Sequence, residues 1–136
     1  MRFIAESAST EVDLQNSRFN PQALQQMAEQ VDGKGIPIAR NFNYSDRVGF
    51  VTRAYVKNNR LIVEGELSVG LLTRAEGYVV PGVRLRDGYS ETAGLQQGLI
   101  KVDTDVELVC FGLTDKPCDT TLKPLKEMEV RYCVST

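Results

Sequence analysis

The pair Asn58-Asn59, set between two alternating segments over residues 48–67, constrains this chain more than any other feature. Asparagine tolerates the positive φ that a two-residue hairpin turn demands at its central positions. Folding about that turn sets Val56 opposite Leu61, Ala54 opposite Val63, Thr52 opposite Gly65 and Phe50 opposite Leu67. This single register makes one nearly apolar face. The reverse face pairs Tyr55 with Ile62 and Arg53 with Glu64, while Lys57 and Arg60 meet as like charges beside the turn, where water screens them.

A second strong signal is local. Residues 20–31 begin with Asn20, a residue able to cap free amides, and Pro21, whose fixed φ suits the first helical position. Phe19 and Leu24 stand where a hydrophobic staple joins, and Leu24, Met27, Ala28 and Val31 follow the i, i+3, i+4, i+7 stripe of a half-buried helix. Gln22, Gln25, Gln26, Glu29 and Gln30 form the other face. The glycines of Asp32-Gly33-Lys34-Gly35 end the helix, and a strand begins near Ile36. Residues 78–86 and 100–113 alternate as strands with one wet face. Residues 87–94 read as a polar loop, Gln96-Gln97-Gly98 as a further turn, and residues 130–134 as a last edge strand.

Length bounds the organisation, since 136 residues suffice for one core. The chain reads as a single domain, residues 1–136, with an N-terminal arm over 1–18 and a C-terminal tail over 118–136. A formal charge of −2 gives no general attraction to phosphate, so direct nucleic-acid binding is not expected. No apolar run reaches the length of a membrane span, and Met1-Arg2-Phe3-Ile4 gives way at once to Ala5-Glu6-Ser7 rather than to a secretory segment, so synthesis in the cytoplasm is expected. The three cysteines, Cys110, Cys118 and Cys133, are odd in number and widely spaced, which suits reduced thiols.

The chain has no histidine, so schemes that need an imidazole cannot be assembled within one subunit. Gly82, Gly88 and Gly94 match neither a dinucleotide fingerprint nor a Walker loop, and no cofactor or metal is expected. Two constellations stand out. Asp103, Asp105 and Glu107 alternate along one strand face, a row able to hold a hard cation or to divide acid and base roles, and more simply a solvated face. Arg84 and Arg86 share that spacing, so adjacency in the sheet lets them answer the carboxylates; exposed instead, the two rows make complementary patches for joining identical subunits. A Ser-Lys dyad needs no histidine, but Ser68 and Ser90 lack a sharp nucleophile turn and no lysine is tied to either.

The order of motifs resembles a family. A helix leads to Gly35-Ile36-Pro37-Ile38-Ala39-Arg40-Asn41-Phe42-Asn43, then Arg47-Val48-Gly49-Phe50-Val51, the hairpin with Glu64-Gly65-Glu66-Leu67, and Val106-Glu107-Leu108-Val109-Cys110-Phe111 running on to Pro117. Over roughly residues 20–120 this is similar to the prohead proteases of tailed bacteriophages, which carry a G-x-P-V strand, an N-H-D segment, a P-I-G-x-V strand, an E-G-x-L hairpin end and a late L-x-E-V-S-L-V strand. The resemblance places the family's catalytic histidine within Asn41-Phe42-Asn43-Tyr44 and its serine within Pro81-Gly82-Val83-Arg84-Leu85-Arg86, and this chain has neither group there.

The resemblance implies a protease-like fold turned to structural use in a phage head. The expected fold is α+β and mostly antiparallel, a small barrel-like sheet with the helix of residues 20–31 packed across it. The expected role is a non-enzymatic decoration or cement protein on the capsid exterior of the virion, partnered by the major capsid protein and self-associating on the lattice, with a trimer as one arrangement. Its rivals are an active or regulatory maturation protease and a phage-encoded binding module. Arg84, Arg86, Asp103, Asp105, Glu107 and Tyr89 are the candidate inter-subunit contacts. The arm through Arg18, the segment 87–98 and the tail after Pro117 are the candidate contact regions, having the weakest claim on the core.

Overall fold

A computed structural model describes residues 1–68, 77–92 and 98–128. Its elements are β1 (Arg2–Ser9), β2 (Ser17–Phe19), α1 (Pro21–Val31), β3 (Ile36–Arg40), β4 (Arg47–Lys57), β5 (Arg60–Leu67), β6 (Tyr78–Thr92), β7 (Leu99–Thr114) and β8 (Lys126–Glu127). All eight strands join one sheet in the order β2-β7-β3-β4-β5-β1-β8, with β6 paired to β7 off that path. The core lies between the sheet and α1, built from Phe3, Leu24, Met27, Val31, Ile38, Val51, Leu61, Val63 and Phe111 among others. Among the described residues no helix is long and apolar enough to cross a membrane.

Asn58 and Asn59 take φ of 52° and 57°, the backbone of the two-residue turn. Five cross-strand pairs follow the predicted register, from Lys57↔Arg60 through Val56↔Leu61, Tyr55↔Ile62 and Ala54↔Val63 to Arg53↔Glu64. Beyond them the ladder shifts by one residue, so that Val51 faces Gly65, Phe50 faces Glu66 and Gly49 faces Leu67. The cause is a bulge at Thr52, which turns Val51 into the core and leaves Phe50 half exposed. Gly65 permits it: a Cβ there would lie 2.1 Å from the Phe50 carbonyl oxygen.

Asn20 caps α1 as its sequence requires, its side-chain oxygen accepting from Ala23 N at 2.8 Å, and Ala23, Leu24, Met27, Ala28 and Val31 are buried. Two of the expected solvent-facing glutamines do something else. β6 occupies the whole of one edge of β7, while β2 and β3 pair, both parallel, with its other edge at Lys101–Asp103 and Phe111–Leu113. Between those stretches the chain leaves the edge as α1 and returns as β3. Gln26 and Gln30 fill the gap: Gln26 Oε1 accepts from Val106 N at 3.0 Å, Gln30 Nε2 donates to Val106 O at 2.9 Å, and Gln30 Oε1 accepts from Leu108 N at 2.6 Å. Side-chain amides thus complete a ladder that would otherwise leave strand groups unpaired.

The sheet is mostly antiparallel as expected, with two parallel pairings, of β2 and of β3 with β7. Three expectations are corrected. The sheet is open rather than barrel-like: β1 and β6 approach without exchanging a ladder, and Pro81, with no N–H to donate, stands on β6 where they come close. Residues 1–18 are no arm, since β1 lies between β5 and β8 and buries Phe3, Ala5 and Ala8. Residues 87–92 are no loop but the continuation of β6, with Gly88 accepting a close approach of the Val102 carbonyl that a Cβ would bring to 2.7 Å. The tail is partly anchored, through buried Leu122 and through β8 on β1. The proposed turn at Gln96-Gln97, the strand at 130–134 and Cys133 lie outside the described residues.

Candidate functional site

β6 and β7 form the longest ladder of the sheet, and its outer half carries every predicted contact residue. Seven consecutive residues of β6, from Arg84 to Ser90, are exposed. The ladder shows why. Leu85 pairs with Val106 and Tyr89 with Val102, and paired residues share a face. The two valines are fully buried, whereas Leu85 is 55% and Tyr89 53% exposed. The apolar face of β7 therefore runs on into β6 past the point where other elements cover it. Among the described residues β6 pairs only with β7, and its far edge along this exposed stretch has no partner strand there.

The opposite face is charged and internally balanced. Arg84 lies opposite Glu107 in the ladder, and their charges stand 3.8 Å apart; Arg86 reaches Asp105 at 3.8 Å and Glu107 at 3.7 Å. Gln26 Nε2 also donates to Asp105 at 3.2 Å. Adjacency thus lets the arginines answer the carboxylates within one chain. These long, exposed contacts contribute little to stability, on the order of 0–1 kcal/mol each. Asp103 stands apart, opposite Gly88, its pKa raised by burial and then by the nearby charge of Asp13, against the pull of Lys101. Among the described residues no three His, Cys, Asp or Glu side chains group as a metal site. At the ribbon's end Arg18 of β2 clasps Glu91 with Nε at 2.7 Å and Nη2 at 3.1 Å. This fork lowers the Glu91 pKa and raises that of Arg18.

Segments 41–44 and 81–86 meet in space where Phe42 lies against Gly82. Asn41 and Phe42 have φ of 49° and 60°, and the turn closes with Phe42 N donating to Ala39 O at 3.2 Å and Asn43 N to Arg40 O at 2.9 Å. That places the Phe42 ring on two glycines: a Cβ at Gly82 would lie 3.0 Å from Phe42 Cε1, and one at Gly112 2.6 Å from Cζ. An aromatic ring thus rests on a glycine floor, with buried Cys110 Sγ also close to Gly82. The Tyr44 hydroxyl is pushed up in pKa, chiefly by the neighbouring Cys110 thiol. Ser90 lies opposite Lys101 in the ladder, but both are exposed, so nothing desolvates the lysine; Ser68 is also exposed.

Beside Phe42 a cleft of ≈ 250 Å³ separates β1 from β6. Ser9 donates to Asp119 across it, and Ser7, 1% exposed, holds a hydroxyl with no partner among the described residues. Ser7 sits at a β-bulge in β1, which explains how a serine comes to face inward. The sequence could have pointed to this strand through the alternation of Phe3 and Ala5 with Ile4 and Glu6, but small alanines make that signal faint. Comparison with protein-family models, with curated proteins and with solved structures finds no match for this chain.

Proposed function

We propose that this chain is a structural protein of a bacteriophage head, a decoration or cement protein that seats on the capsid exterior and self-associates on the lattice of the major capsid protein. The observation that carries the reading is the outer half of β6, a strand exposed over Arg84 to Ser90, with a far edge that no other described strand pairs and an apolar face ending at Leu85 and Tyr89. Such a strand suits addition of a partner strand, in which backbone hydrogen bonds supply affinity and the exposed side chains supply selectivity. The phage setting rests on the resemblance to prohead proteases. The contact between Phe42 and Gly82, at the segments where those enzymes place histidine and serine, supports a fold used without that chemistry.

The reading has a direct test. Heads carrying this protein retain it at fixed stoichiometry, lose heat resistance when it is stripped, and recover on its return; a Leu85→Ser, Tyr89→Ser variant fails to restore them. Specific cleavage of the major capsid protein by the purified chain would sink the proposal in favour of a maturation protease.

A further inference from the structure

The face of β1, β5 and β4 turned away from the core holds a groove of ≈ 540 Å³. Its floor is apolar, made by Ile4, Ile62 and Tyr55, all half-buried. Ile62 pairs with Tyr55 on one side and with Glu6 on the other, so the floor crosses three strands. The rim is cationic, with exposed Lys57 at the hairpin end, exposed Lys123 on the tail segment and Arg60 between them. In a chain of net charge −2, three cations against one carboxylate, Glu6, give this trough a local positive excess.

Arg60 is the built part of this site. Its Nη1 donates to Glu6 Oε1, to Thr121 O and to Thr121 Oγ1, each at 3.2 Å. Those contacts hold one edge of the guanidinium against Glu6 and Thr121. All three leave from Nη1, and among the described residues Nη2 and Nε make no hydrogen bond, which leaves that side of the fork to a carboxylate with little further ordering on binding. Glu6 is itself held by Lys123 N at 3.1 Å, which ties the tail segment to the groove wall.

We propose that this groove binds an extended acidic segment of a partner protein, with carboxylates at Arg60, Lys57 and Lys123 and apolar side chains on Ile4, Ile62 and Tyr55. A strand-like peptide alternating acidic and apolar residues matches this layout, because its side chains point by turns to floor and rim. Nucleic acid fits less well, since a base has only the Tyr55 ring to stack on while Ile4 and Ile62 offer it no hydrogen bond. Recognition at this face is independent of the shell role assigned to β6, which lies elsewhere on the sheet.

The test is fluorescence anisotropy of a labelled peptide of alternating glutamate and valine, titrated with the full chain. The acidic peptide binds in low salt and weakens as salt rises, while its lysine-valine counterpart does not bind. The Lys57→Glu, Lys123→Glu variant, altered only at exposed positions, weakens the acidic peptide about tenfold. Lys101→Glu, on β7, leaves binding unchanged. Arg60→Gln abolishes it, with a circular dichroism spectrum taken to establish folding. Failure of the acidic peptide to bind, indifference to the Lys57 and Lys123 reversal, or tighter binding of a labelled oligothymidine each overturns the proposal.

Discussion

The outer halves of β6 and β7 lie side by side in one ladder yet live in different environments. Val102 and Val106 of β7 are fully buried, with β2 and the glutamines of α1 along that strand's other edge. Their partners Tyr89 and Leu85 of β6 stand more than half exposed, and among the described residues no strand lies beyond them. Both strands alternate in sequence, so alternation alone does not decide burial; what decides it is whether a third element covers the face. One strand of the pair is scaffold, and the other is a surface carried by it.

That contrast breaks first at the core. Phe111→Ala in β7 is expected to cost about 3–5 kcal/mol in urea unfolding, whereas Leu85→Ala stays within about 0.5 kcal/mol of the parent. Comparable losses would mean that the outer half of β6 belongs to the core. Next comes the edge filled by α1: Gln30→Ala strands Val106 O and Leu108 N and costs about 1–3 kcal/mol. Hydrogen exchange at Leu108 should accelerate accordingly, while exposed Gln25→Ala on the same helix leaves both readouts near the parent. Asn20→Ala, which removes the cap from Ala23 N, costs about 1 kcal/mol, measurable as a lowered thermal midpoint.

The smallest effect lies at the ribbon's end. Pairing with Arg18 holds the Glu91 pKa below its ordinary 4.5. The contribution of that charge is therefore complete above pH 4.5 and disappears as the pH falls through the lowered value. The stability gap between the parent and Glu91→Gln should close across that acid range. A gap that persists unchanged below it would show that the glutamate acts through packing rather than charge.

What could be read from sequence was local. The cap at Asn20, the stripe from Leu24 to Val31 and five pairs of the hairpin depend on neighbours within a few residues, and each is found in the structure. The bulge at Thr52 was hidden because its cause, the Phe50 carbonyl resting over Gly65, is an event between backbones. The parallel pairing of β2 and β3 with β7 joins residues more than seventy positions apart and leaves no periodic trace. At the candidate surface matching spacing left two readings open, and the adjacency of Arg84 and Arg86 with Asp105 and Glu107 is the one the ladder shows. The exposure of Leu85 left no sign in the sequence, since it depends on what other elements cover and not on the strand itself.

The pairing of Gln26 and Gln30 with β7 has a consequence for length. Four residues along a helix advance about 6 Å, and two residues along a strand advance about 6.6 Å. The glutamines, four positions apart, therefore keep step with Val106 and Leu108, two positions apart, only while α1 runs alongside β7. The helix acts as a vernier against the strand. A one-residue insertion between the two glutamines would swing Gln30 about 100° around the helix axis, so this segment should accept changes of side chain far more readily than changes of length.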